Sequence, residues 1–345
     1  MKYVFFGSTG LRVSELALGT MTFGTERGVG SDLHESRSIF SAFSDAGGNF
    51  LDSANTYTNG TSETMIGEFL HGIRHSYVIA TKYSLAPPGS DPNASGNHRK
   101  NLIRSIEGSL ERLRTDYIDI LWVHAWDKFT PIEETLRALD DLVRQGKILY
   151  IGISDTPAWI ISRANILAEL RGWTSFSGIQ IEYSLIERTA ERDLLPMARH
   201  YDLAITAWSP LGGGLLTGKY NSIQTSLPRR LDTFKWLQTP DDRNLSISQE
   251  VVDISAEIKC TPAQVALRWI NKTSADIIPI IGARSAEQLK ENLAYIKIDI
   301  SAEHIQRLDR KSKIDLGFPH DFLASDTARR QLYGDMMDYI DRPMI

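Results

Sequence analysis

The sequence predicts an α/β protein: a closed (β/α)8 barrel of the TIM type, with an N-terminal hairpin and irregular substrate loops. Three observations predict it. Eight short apolar runs alternate with amphipathic segments, which means a parallel sheet covered by helices. The chain has 345 residues, a length at which one barrel is ordinary. Residues 1–345 therefore read as a single domain with an irregular tail over 311–345. The first strand ends Leu18-Gly19-Thr20-Met21 with no G-x-G-x-x-G, so a doubly wound dinucleotide-binding sheet loses its usual mark. A P-loop, H-E-x-x-H and G-x-S-x-G are absent as well.

Residues 3–6, the turn Gly7-Ser8-Thr9-Gly10 and residues 12–14 read as the hairpin. The eight strands follow at 15–18, 50–52, 78–82, 118–124, 150–154, 178–182, 204–208 and 277–281. Helical stripes fall between them. Ile39, Phe40, Phe43 and Ala46 share one face, as do Leu102, Ile106, Leu110 and Leu113, and Leu136, Leu139, Leu142 and Val143. Thr130-Pro131-Ile132-Glu133 reads as a capping box with Pro at the first helical position, and Thr261-Pro262 opens another helix the same way. Three stretches break the alternation: 84–98, 221–245 and the tail beyond a last helix near 302–310. Long loops in a compact domain are usually functional or disordered.

Composition narrows the function. There are 38 basic and 43 acidic side chains, a net charge of −5, against a general nucleic-acid binder. One cysteine, Cys260, excludes an internal disulfide framework and a Cys-cluster metal site, and it reads as a buried structural thiol. The first residues hold only four consecutive apolar positions, too few for a signal-peptide core. No stretch nears the roughly 18 apolar residues of a membrane span. The expectations are a cytoplasmic chain, a monomer or weak homo-oligomer, with no metal.

Reactive groups in a (β/α)8 enzyme sit at the C-terminal ends of strands. Those ends carry Asp52 after strand 2, Tyr57 in the loop beyond it, Lys82 closing strand 3 and His124 closing strand 4. Singly, each has a plain reading: a turn carboxylate, a surface phenol, a snorkelling lysine, a hydrogen-bonded core histidine. Together they make one site on three adjacent strands. A phenol has a pKa of about 10, and a neighbouring ammonium favours the phenolate and brings it down. A carboxylate keeps that ammonium charged, and His124 can orient a carbonyl oxygen towards the phenol. The set suits carbonyl reduction, in which a proton reaches oxygen while hydride reaches carbon. Side chains supply no hydride, so a cofactor is required.

The run Gly48-Asn49-Phe50-Leu51-Asp52-Ser53-Ala54-Asn55-Thr56-Tyr57, with Gly60-Thr61-Ser62-Glu63 and Gly67, resembles the signature of the aldo-keto reductase superfamily. The resemblance spans roughly residues 1–311. It continues through Ala80-Thr81-Lys82, Trp122-Val123-His124, Gly152-Ile153-Ser154, Gln180-Ile181-Glu182-Tyr183-Ser184, Trp208-Ser209-Pro210-Leu211 and Ile281-Gly282-Ala283-Arg284. Gly96-Asn97-His98-Arg99-Lys100 and Ser154-Asp155-Thr156-Pro157-Ala158-Trp159 are similar to the aryl-alcohol-dehydrogenase-like branch. The resemblance implies a barrel that binds NADP(H) across its mouth and a catalytic tetrad of Asp52, Tyr57, Lys82 and His124.

It also implies the cofactor contacts. Gly19, Thr20 and Asp52 lie near the nicotinamide. Ser154, Asp155 and Gln180 match the carboxamide site, and Trp208 the aromatic that stacks on the ring. Ser209, Leu211, Gly213, Leu215 and Lys219 match the pyrophosphate loop. Gly282, Arg284, Gln288, Glu291 and Asn292 match the 2′-phosphate and adenine contacts. The plainer readings are a capping box at Ser285-Ala286-Glu287-Gln288, a flexible turn at Gly212-Gly213-Gly214 and a core Trp208. Position 155 departs from the commoner Ser-Asn pattern. A carboxylate only accepts, so the donor to the carboxamide oxygen falls to Ser154 or Gln180, and Asp155 can belong to the turn instead. The function implied is an NADP(H)-dependent interconversion of aldehydes or ketones and alcohols, acting on a small-molecule substrate. The alternatives are a non-catalytic, NADPH-sensing regulatory subunit and a dehydrogenase of bulky hydroxylated natural products.

Overall fold

β1 (Tyr3–Phe5) and β2 (Arg12–Ser14) form the antiparallel hairpin, with Tyr3 opposite Ser14. The structure, a computed structural model, describes residues 1–26, 28–87, 89, 91–221, 239–273 and 276–340. The hairpin plugs the N-terminal end of the barrel. Phe6 and Val13 are fully buried there. The Phe6 ring meets Phe50 and Trp122 edge-on at 6.2 and 6.0 Å, the geometry aromatic quadrupoles favour.

The barrel strands are β3 (Ala17–Gly19), β4 (Phe50–Asp52), β5 (Val78–Tyr83), β6 (Ile118–Val123), β7 (Ile148–Ser154), β8 (Gly178–Glu182), β9 (Ala204–Trp208) and β10 (Ile277–Ile281). They close in sequence order, all parallel, with β10 returning to β3. Covered on both faces, such strands read as unbroken apolar runs, which is why the eight were visible in the sequence. Inward residues such as Phe50, Ala80, Ile120 and Trp122 fill the interior, while Leu51, Ile79, Leu121 and Ile151 face the helices. Gly152 is a glycine for space: a Cβ there would stand 2.3 Å from the Trp122 ring.

The strand ends differ in detail from the sequence expectation. β3 starts at Ala17 because Glu15 stays with the hairpin, its carboxylate accepting from the Lys2 N–H at 2.6 Å. β7 starts two residues earlier, at Ile148. β6 stops at Val123, so His124 stands just beyond the strand, its N–H still donating to Tyr83 O at 3.0 Å.

The helices are α1 (Leu33–Asp45), α2 (Thr61–Phe69), α3 (Arg99–Leu113), α4 (Ile132–Arg144), α5 (Ala158–Arg171), α6 (Leu194–His200), α7 (Asp242–Glu257), α8 (Pro262–Thr273), α9 (Ala286–Leu293), α10 (Ala302–Ser312), α11 (His320–Ala324) and α12 (Asp326–Tyr333). The three predicted stripes lie on α1, α3 and α4, and their central residues are buried against the strands. Truncating one such leucine to alanine costs about 2–5 kcal/mol.

One predicted cap fails and one holds. The Thr130 hydroxyl donates to Asp127 Oδ2 at 2.8 Å instead of capping, so α4 begins at Ile132 with Pro131 ahead of it. At α8 the box closes: Gln264 N–H reaches Thr261 Oγ1 at 3.4 Å and Thr261 N–H reaches Gln264 Oε1 at 3.1 Å. Cys260, expected to be buried, is half-buried, and burial pushes its thiol pKa up.

Among its described residues the tail, read as irregular, carries two short helices, α11 and α12. Ser325 caps α12 by accepting from Ala328 N–H at 3.2 Å. The tail docks beside α6, where Arg192 donates to Asp315 O at 2.8 Å. Of the stretch 221–245, residues 222–238 lie outside the described residues, and its end opens α7. Among the described residues no helix is long and apolar enough to cross a membrane, and no His/Cys/Asp/Glu group could hold a metal ion.

Candidate active site

β4 ends on Asp52, which is 2% exposed. Beside it β5 carries Lys82, 1% exposed. All three ammonium hydrogens of Lys82 have acceptors: Asp52 Oδ2 at 2.5 Å, Ser53 O at 2.7 Å and Tyr57 Oη at 3.2 Å. An ammonium has three donors and no acceptor, so this arrangement fixes Lys82 completely. Burial alone would bring its pKa down. The Asp52 carboxylate and the Tyr57 oxygen outweigh burial and hold the pKa above the ordinary 10.5. The lysine is therefore a cation at any neutral pH.

Tyr57 comes from a tight turn rather than a strand. It opens a 3-10 turn at Tyr57–Gly60 in which Thr58 and Asn59 adopt φ of 46° and 56°. Left-handed non-glycine residues cost roughly 1–3 kcal/mol each and persist only where surroundings over-determine them. Here the buried Thr58 hydroxyl donates to Phe23 O at 2.5 Å, and Tyr57 N–H donates to Ala54 O at 3.1 Å. The turn folds the phenol back over the strand ends. Its ring lies 4.8 Å below the Lys82 Nζ and meets the His124 ring edge-on at 6.1 Å. The four predicted reactive side chains thus converge.

Sequence reasoning missed one contact. Gln180, on β8, donates its Nε2 hydrogen to Asp52 Oδ1 at 2.9 Å. Both carboxylate oxygens are then engaged, one by Lys82 and one by Gln180. The partners lie 128 residues apart, and no local pattern signals such a pairing.

A cleft of about 440 Å³ opens from this cluster across the barrel mouth. Asp52, Tyr57 and His124 line it. Gly19, Ser154, Asp155, Gln180 and Trp208 line it too. Ser209, Leu211, Gly213, Lys219, Gly282, Arg284 and Gln288 line it as well. Four expected contacts are not on this wall. Thr20 is fully buried, its hydroxyl donating to Asp52 O at 3.0 Å. Leu215 and Asn292 are buried, and Glu291 is exposed with its carbonyl accepting from Gln264. Met21, Thr22, Thr56 and Leu85 line the cleft without having been singled out. Each neighbours a strand end or a reactive residue in sequence, which is the signal that could have found them. Of the three irregular stretches, only Leu85 reaches the wall among the described residues.

Asp155 takes a definite role. At φ 41° its carboxylate accepts from Trp208 Nε1 at 3.2 Å. Its outer edge meets solvent, yet the protein around it withholds enough water to push the carboxyl pKa up, against the hydrogen bonds from Trp208 and Ser154. The α9 N-terminus is also occupied. Ala286 N–H donates to Glu35 Oε1 at 2.7 Å, Gln288 N–H to Ser285 Oγ at 3.1 Å, and Arg284 N–H to Gln288 Oε1 at 2.8 Å. An anion arriving there would meet the Arg284 side chain rather than these amides.

A (β/α)8 barrel in which a buried Asp52–Lys82 pair reaches a half-buried Tyr57 in an open cleft has the architecture of an oxidoreductase. Residues 15–313 match the Aldo/keto reductase family. An aryl-alcohol dehydrogenase from Pestalotiopsis microspora is 37% identical over 92% of this chain and 83% of its own length. An aldo-keto reductase from Aspergillus calidoustus is 38% identical over 93% and 84%. A norsolorinic acid reductase from Aspergillus flavus is 37% identical over 93% and 83%. The chain belongs to the aldo/keto reductase family, and it is an oxidoreductase enzyme.

Proposed function

We propose that the protein is an NADP(H)-dependent reductase of aldehydes or ketones that also oxidises the corresponding alcohols. The observation that carries the reading is the fully committed Lys82 ammonium at 3.2 Å from the Tyr57 hydroxyl. The cleft suits an anionic cofactor, because two cations, Lys219 and Arg284, share its lining with Asp52, Tyr57 and His124. Bound there, a nicotinamide supplies or takes the hydride. Gln180 spends one N–H on Asp52, so its remaining N–H and its oxygen serve the carboxamide. Trp208, steadied by Asp155, presents its ring to the nicotinamide. Tyr57 gives its proton to the carbonyl oxygen in reduction and takes it back in oxidation. Lys82 favours the phenolate that remains, Asp52 holds Lys82, and His124 orients the carbonyl.

Two relatives are named aryl-alcohol dehydrogenase and norsolorinic acid reductase, so aromatic substrates are the first to test. Loss of NADPH absorbance with a simple aryl aldehyde is the expected result. Binding of NADPH with no turnover across a panel of aldehydes and alcohols would instead identify a cofactor-sensing subunit.

Arg284 is assigned to the 2′-phosphate. A guanidinium makes charge-assisted, often bidentate bonds to phosphate, and the helix amides beside it already have partners. Hydrogen bonds to charged groups contribute about 1.5–3 kcal/mol. Arg284→Ala is therefore expected to weaken NADPH binding by roughly tenfold to a hundredfold and to leave NADH nearly unchanged. Fluorescence titration with both cofactors measures this. Equal weakening of the two removes Arg284 as the reader of the phosphate.

A further inference from the structure

We propose that Ser84 and Asn97 form a staple that positions His124, an inference that rests on the orienting role given to that histidine above. The residue after His124 is Ala125, and its peptide groups are bracketed. Ser84 Oγ accepts from Ala125 N–H and donates to Ala125 O, each at 3.1 Å. Asn97 Nδ2 donates to the same Ala125 O at 2.8 Å. On the other side of the histidine, its own N–H donates to Tyr83 O at 3.0 Å. The main chain is thus held before and after the imidazole.

The backbone at Ser84 is the informative part. It adopts φ 100° and is 6% exposed. Glycine takes that conformation without a steric cost. Serine does not, and such strain persists only where its surroundings over-determine it. What serine has and glycine lacks is the hydroxyl that brackets Ala125. Ser84 also lies two residues beyond Lys82, so one short segment spans the lysine and the clamp on the histidine.

Asn97 anchors the far side. It is 2% exposed. Its Oδ1 accepts from Asp127 N–H at 2.8 Å, its own N–H donates to Asp127 Oδ2 at 2.5 Å, and its carbonyl accepts from Tyr83 Oη at 3.2 Å. These bonds tie the loop between β5 and α3 to the loop between β6 and α4. The two loops flank His124, so the staple sets where the imidazole stands relative to Tyr57. Neither residue lines the cleft, so both act through the histidine as positioning residues.

The test uses the full-length chain, an aryl aldehyde, and NADPH. Ser84→Gly removes the hydroxyl and relieves the strain, so it folds even if Asn97→Ala does not. A displacement of about 1 Å near reacting groups can cost about a hundredfold. Each variant is expected to lower kcat/KM for the aldehyde by roughly tenfold to that limit, mainly in kcat, while the NADPH Kd from fluorescence titration stays within about twofold. The decisive arm repeats both substitutions in a His124→Ala background. There, the positioned group is gone, and the further loss shrinks to less than about twofold, because coupled residues are non-additive. Wild-type kcat/KM in Ser84→Gly overturns the staple, and so does a loss undiminished by His124→Ala. If His124→Ala alone keeps full activity, the orienting role itself fails and the staple has nothing to position.

Discussion

Tyr57→Phe is expected to lower turnover by at least about a hundredfold while NADPH still binds. General acid catalysis contributes roughly 10²–10⁴-fold, and this substitution deletes only the hydroxyl. The ring keeps its place in the turn, because Thr58 and Asn59 set that turn through their own backbone and the Thr58–Phe23 bond. The edge-on contact with His124 and the seat under Lys82 are ring contacts and survive. Lys82 loses one of three acceptors at a cleft-facing position that water can fill, so the fold is spared. The measurement is single-turnover reduction of an aryl aldehyde beside a fluorescence titration with NADPH. Near-wild-type turnover would take Tyr57 out of the mechanism.

Much of this was legible in the sequence, for identifiable reasons. The parallel strands showed as apolar runs because burial on both faces removes the alternation that would blur them. Asp52, Lys82 and His124 were placed by strand ends, and the barrel brings strand ends to one rim. What was not legible is tertiary. Nothing near Thr130 says that Asp127 will take its hydroxyl, so the cap at α4 was misread. Nothing near Thr20 or Leu215 says which way a residue in a correct motif faces, and both point into the interior. The tail broke the alternation of strands and helices and so read as irregular, yet Ser325 caps a short helix there. Composition does not report where a segment docks, and here the stretch before α11 meets Arg192, next to α6.

Lys82→Met is expected to destabilise the protein and abolish efficient turnover, and the two effects separate. Removing one partner of a buried ion pair costs about 3–5 kcal/mol, because the other charge stays buried and uncompensated. Here, Asp52 would keep only the Gln180 donor. Adding Asp52→Asn removes the stranded charge, so the double variant is expected to recover part of the denaturation midpoint and none of the activity. The pH dependence carries a definite sign. The Lys82 pKa is raised in the folded protein, so its stabilising contribution is fully present below the ordinary lysine value of 10.5 and is lost as pH rises through the folded value. In Lys82→Met, that alkaline loss of stability disappears. Residual reduction should then persist to higher pH than in the wild type, because no ammonium favours the phenolate and the phenol holds its proton longer. A pH–rate profile of single-turnover reduction, taken beside a denaturant titration at each pH, reads both effects. If activity falls while the alkaline limb stays where the wild type has it, Lys82 serves the fold and the cofactor site rather than the proton on Tyr57.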